Sequence, residues 1–250
     1  MSAEAPADHP HHSSLWIAAD HVNLKMPAAD GTIEAYSYNF YVNETFQGRA
    51  PGRIVETGVS GEALPDGSFR IVQEIEWRGP NEWGAPEGRI AAHERRTTRV
   101  EPGDCHHRID VVSRLTAGEW AVALGPTRHA FFNIRVADSM TVANGGRVTD
   151  DRGRSGGARL CGEGSRWVDF SGPVGGGMQA GITVVPHEVA DRRPFWFVSD
   201  WGVVTVGAFR RSAIEIGPGT AFESGASVIV HDGDLEQAEV PGLAETMPGG

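Results

Sequence analysis

The stretch Gly67-Ser68-Phe69-Arg70-Ile71-Val72-Gln73-Glu74-Ile75-Glu76-Trp77 alternates side chains between two faces. In an extended chain Phe69, Ile71, Gln73, Ile75 and Trp77 share one face, and Arg70, Val72, Glu74 and Glu76 share the other. The period is two, so the segment reads as a strand with one face meant for a core. Pro65-Asp66-Gly67 just before it is turn chemistry, because Asp and Gly tolerate positive φ at low cost. Working outward, similar runs cover residues 53–60, 90–100, 107–115, 131–136, 165–170, 178–185, 195–201, 203–209, 213–216 and 226–230. Asn144-Gly145-Gly146 and His231-Asp232-Gly233-Asp234 add further turn signals. The 33 glycines and 15 prolines leave few windows for a helical repeat. The expected fold class is all-β, an antiparallel β-sandwich of stacked sheets with few or no helices. Residues 8–235 are expected to form one domain, with residues 1–7 and 236–250 as flexible ends.

Composition narrows the function. The 250 residues carry 33 acidic and 22 basic side chains, a formal charge of −11. Such a surface repels a phosphate backbone, so nucleic acid is not an expected partner. No apolar run is long enough for a membrane helix, and Pro194 to Phe209, the most apolar stretch, is broken by Ser199, Asp200 and Gly202. The opening Met1 to Pro6 has no basic region or apolar core typical of exported proteins. Cys105 and Cys161 have no knuckle or redox spacing and read as reduced thiols of a cytoplasmic protein. Residues 153–157 and 172–177 are glycine-rich but lack the strand, Gly-x-Gly-x-x-Gly and helix context of a nucleotide loop, so no nucleotide cofactor is expected.

The densest chemical signal is His9, His11 and His12 beside Trp16, followed by His21. Imidazole titrates near neutrality and ligates metals, so the cluster reads either as a proton-transfer site or as ligands of a divalent metal through His9, His11 and His12. A solvated tail is the competing reading. His11 and His12 are candidate catalytic groups, with Glu94 and Asp200 as acid or further ligand. Arg135, between apolar neighbours, has the planar fork that pairs with hydroxyls or carboxylates. Trp196 and Trp201, with Trp16 and Trp167, offer indole faces to a sugar ring, and Asn23 and His187 complete the candidate substrate-binding set. Tryptophans in sandwich strands mostly fill cores, and at most two of the seven are expected to touch ligand. There is no Gly-x-Ser-x-Gly elbow and no Cys/His pairing of a thiol protease.

The residues Asp8 to Trp16 with Val22-Asn23, then Phe132 to Ala137, Asn144 to Thr149, Trp167 to Gly172, Pro194 to Gly202 and Val230 to Asp234 run in the order of one family's motifs. By these the chain resembles the PmoA-like family of unknown function (DUF6807) over nearly all of residues 8–235. The resemblance implies an all-β sandwich and a role near sugar oxidoreductases and isomerase-like enzymes in bacterial carbohydrate catabolism. Methane oxidation is set aside, because its membrane enzyme needs spanning segments absent here. The chain departs from the pattern at His21, where an acidic residue is expected just before Val-Asn. It also looks short ahead of the histidine run, and a sheet edge left open there would call for a second copy or another subunit. The expected function is acid–base elimination, isomerisation or hydrolysis of a sugar or oxidised sugar, metal-assisted or not. The alternative is a non-catalytic carbohydrate-binding or assembly subunit.

Overall fold

In the computed structural model, residue 12, residues 14–187 and residues 194–247 are described. The first strands are β1 (Leu15–Ala19), β2 (Val22–Pro27), β3 (Ile33–Asn39), β4 (Ala50–Pro51), β5 (Arg53–Ala63) and β6 (Phe69–Arg78). They are followed by β7 (Ile90–Glu101), β8 (His106–Ala117), β9 (Ala121–Leu124), β10 (Ala130–Arg135), β11 (Arg147–Asp150) and β12 (Val168–Gly175). The last are β13 (Met178–Pro186), β14 (Phe195–Val198), β15 (Val203–Gly207), β16 (Ile214–Ile216) and β17 (Ala221–Asp232). Two short helices accompany them, α1 (Gly157–Leu160) and α2 (Val240–Glu245).

The strands form three stacked sheets in a mostly antiparallel β-sandwich. An eight-stranded sheet runs β11-β12-β13-β17-β8-β7-β6-β5. A four-stranded sheet runs β1-β10-β15-β14, and a five-stranded sheet runs β16-β9-β2-β3-β4. The core lies where they meet: Trp77, Leu115, Phe170 and Val228 of the large sheet, Phe132 and Val206 of the second, and Leu24 and Leu124 of the third are all buried. Phe131 bridges them, its ring centroid 6.2 Å from that of Trp77 and 5.7 Å from that of Phe222.

The alternation in β6 buries only its second half. Ile75 and Trp77 are in the core, whereas Phe69, at the start of the strand, is 44% exposed. The glycine-rich runs also part ways. Residues 153–157 lead into α1, and residues 175–177 make the tight β12–β13 hairpin, with all three glycines at positive φ. Within the stretch expected to be a flexible tail, Val240, Ala244 and Met247 instead pack on Trp167, Val185 and Ile229 of the large sheet's outer face. The apolar spacing of Val240 and Ala244, four apart, puts both on one side of a single helical turn. Cys105 and Cys161 are free. Among the described residues no helix is long and apolar enough to cross a membrane.

Candidate functional site

Two connections between the four-stranded and five-stranded sheets run side by side. One is the β1–β2 turn, which holds Asp20 and His21; the other is the β9–β10 connection, which holds Thr127, Arg128 and His129. The antiparallel register pairs Ala19 with Ala130, so Asp20, just after β1, and His129, just before β10, must meet. His129 Nδ1 lies 3.0 Å from Asp20 Oδ2. Asp20 is buried, and His129 is partly so. Burial pushes the Asp20 carboxyl upward, but the hydrogen bond with His129, helped by the nearby imidazole charges, outweighs it and holds the group below the usual carboxylate value. His21, whose Nε2 is 3.9 Å from the same carboxylate oxygen, is held below the ordinary histidine value mainly by burial.

The dyad forms part of the wall of a cavity of about 430 Å³, lined also by His12, Asn39, Tyr41, Glu44, Arg128, Phe197 and Trp201. Asn39 ends β3 and folds the next residues into the wall, its Oδ1 accepting the backbone N–H groups of Tyr41 at 2.8 Å and Val42 at 3.2 Å. The Tyr41 phenol is raised by burial and by the Asp20 charge, so it stays protonated as a donor. The aromatic side is continuous. The buried His12 ring lies between Trp16 and Trp201, its centroid 5.2 Å from each, with the Tyr41 ring edge-on at 5.8 Å. Trp201 is 43% exposed at the tip of the β14–β15 turn, which Gly202 closes at φ +102° by donating to Ser199 O.

A shallower groove on the far side of Trp201 is lined by Arg135, Asp138, Asn144 and Asp200. Arg135 donates to Asp138 at 2.6 Å, and its guanidinium carbon is 5.7 Å from the Trp201 ring centroid. Of the side chains expected at a site, His12, Trp16, Arg135 and Asp200 thus gather about Trp201. Asp200 also accepts the Gly157 N–H at 2.7 Å, tying the Trp201 turn to the start of α1.

The other candidates lie elsewhere. Glu94 is buried inside the large sheet, where it accepts from Trp77 Nε1, Arg96 Nε and Ser113 Oγ, each at 2.8 Å. Trp196 is fully buried and donates to Ser165 O at 3.1 Å. His187 bonds Ser227 at 3.1 Å across the outer face of that sheet, and burial lowers its proton affinity. Asn23 sits half-buried in β2 between Ala123 and Ser37. His9 and His11 lie outside the described residues. Among the described residues no group of three or more His, Cys, Asp and Glu is disposed to hold a metal ion.

Sequence reasoning passed over Asp20, Tyr41, Arg128 and His129. The acid expected just before Val-Asn stands one residue earlier, as Asp20, and Arg128-His129 immediately precedes an apolar strand, which is where loop residues of function often sit. A second cavity, of about 490 Å³, lies between β11, β12 and the C-terminal segment. No imidazole lines it, and its Asp150 and Asp151 are already paired with Arg154 and Arg166.

The model of the family of unknown function DUF6807 matches residues 1–245. The chain belongs to that family. No curated protein matches this DUF6807 chain. Among solved structures it is similar to the Slr1438 protein of Synechocystis sp. PCC 6803 at 8% identity and a TM-score of 0.36. That match covers 88% of this chain and 79% of the other, a likeness too distant to bear on function.

Proposed function

We propose that this DUF6807 protein is a carbohydrate-processing enzyme in which His129 moves a proton on a sugar or oxidised-sugar substrate. The observation that carries the reading is the buried Asp20 carboxylate against His129 Nδ1 at the wall of an aromatic cavity. A carboxylate on one ring nitrogen fixes the tautomer, leaves the lone pair on the other and stabilises the imidazolium that forms on proton uptake. Trp201 and Tyr41 supply apolar faces on which the C–H side of a pyranose packs, and Asn39 and Glu44 supply polar groups for hydroxyls. His12, stacked on Trp201 and tilted against Trp16, shapes that wall. The association with PmoA-like proteins and their sugar-metabolising gene neighbours belongs to this same reading.

The test is solvent-proton exchange. The protein is incubated in D2O with aldoses, ketoses and uronates, and deuterium entering a carbon beside a carbonyl is followed by NMR. Exchange by the wild type that is lost in His129→Gln, with binding retained, is the expected result. The exposed Trp201 face favours one competing reading, a non-catalytic carbohydrate-binding subunit. Sugar binding without exchange on any substrate of the panel would favour that reading over the enzyme.

A further inference from the structure

His129 is held from both sides. Nδ1 faces Asp20 at 3.0 Å, and Nε2 accepts the Arg128 Nε–H at 3.1 Å. One tautomer satisfies both contacts, with the proton on Nδ1 and the lone pair on Nε2. The lone pair that a base requires is therefore capped by a cation from the neighbouring residue. Arg128 itself is exposed and cheap to move. Among the described residues no carboxylate lies within ion-pair distance of it, although Glu44 lines the same cavity, and its guanidinium lies 5.5 Å from the Phe197 ring centroid.

We infer that Arg128 reads a carboxylate on the substrate and that this recognition uncaps the base, so the cavity acts on acidic sugars that also carry an aldehyde or ketone, of the uronate or keto-aldonate class. This rests on the reading of His129 as the base. A substrate carboxylate accepts two parallel N–H bonds from the Arg128 fork, which a neutral imidazole cannot match. The Arg128 Nε–H then leaves Nε2, which takes a proton from the substrate carbon next to its carbonyl. The electron pair of the broken C–H bond passes into that carbonyl as an enolate, and the imidazolium faces Asp20. A neutral sugar brings no competitor for Arg128 and leaves the lone pair capped. Selectivity comes from activating the base as well as from binding.

The experiment compares wild type with Arg128→Ala, a substitution at an exposed position, with circular dichroism as the check that the fold is kept. Diethylpyrocarbonate acylates unprotonated imidazole nitrogens, and mass spectrometry reads its rate at His129 with His21 as internal reference. The expected result is several-fold faster modification of His129 alone in Arg128→Ala. In parallel, ligand-observed NMR with D-glucuronate and D-glucose should show glucuronate favoured by the wild type and that preference lost in the variant. An unchanged His129 rate in Arg128→Ala, or equal binding of the two sugars by wild type, overturns the inference. Failure of the base reading is separate, and shows as deuterium exchange that survives His129→Gln.

Discussion

At the scale of single residues, two buried carboxylates sit in opposite surroundings. Glu94 has both oxygens satisfied by Trp77, Arg96 and Ser113 inside the large sheet. Removing it as Glu94→Ala strands the Arg96 guanidinium and an indole N–H, and should cost about 3–5 kcal/mol of stability in urea unfolding. A loss below about 1 kcal/mol would mean that water replaces the carboxylate at no penalty. Asp20 instead spends its hydrogen bond on His129 at the cavity wall. Asp20→Asn keeps the shape and removes the charge that would face an imidazolium. Proton exchange on an accepted substrate should therefore fall on the order of 10²-fold, with ligand affinity little changed. An exchange rate equal to wild type would remove Asp20 from the mechanism.

At the scale of elements, strand register places the chemistry. The dyad exists because Ala19 pairs with Ala130, and a slip of one residue between β1 and β10 would carry Asp20 away from His129. Register on the outer face of the large sheet is held equally closely. Gly181 pairs with His231, whose ring fills the space of the missing side chain and bonds Asp169 at 2.9 Å. A Cβ at residue 181 would lie 2.1 Å from the ring. Gly181→Ala should lower stability by about 1–3 kcal/mol, measured as a shift in thermal midpoint, because neither strand nor ring has room to yield. An unshifted midpoint would mean that the His231 ring relocates freely. The same face is roofed by α2, whose position could not be read from a short C-terminal stretch of small and polar residues. Its helix forms because Trp167, Val185 and Ile229 give Val240 and Ala244 something to cover.

At the scale of the whole molecule, burial of imidazoles should make stability fall in mild acid. His21 and His187 both have folded-state proton affinities lowered chiefly by burial. As pH drops through about 6.5, the unfolded chain binds protons that the folded chain does not yet accept. Stability present above that pH is lost below it, until the folded-state values are passed. Asp20, also lowered, adds a loss at more acid pH, below the carboxylate value of the unfolded chain. Urea midpoints measured from pH 8 to pH 5 should decline, and His187→Gln, which removes one of the two groups and keeps a donor toward Ser227, should flatten the decline. An equal slope in the variant would show that His187 does not carry it.

The amino-acid sequence alone determined the all-β class, most strand positions, and His12, Trp16, Arg135 and Asp200 as residues worth attention. These depend on local facts: a two-residue alternation, glycine and proline at turns, and side-chain chemistry visible one residue at a time. Tertiary structure decided which of them meet. Glu94 alternates like a surface charge, yet a core indole and a neighbouring-strand serine enclose it. Asp20 and His129 are 109 residues apart and carry no shared motif. Their meeting follows from the pairing of β1 with β10, a non-local choice made by burying apolar faces in a common core, and no local pattern encodes it.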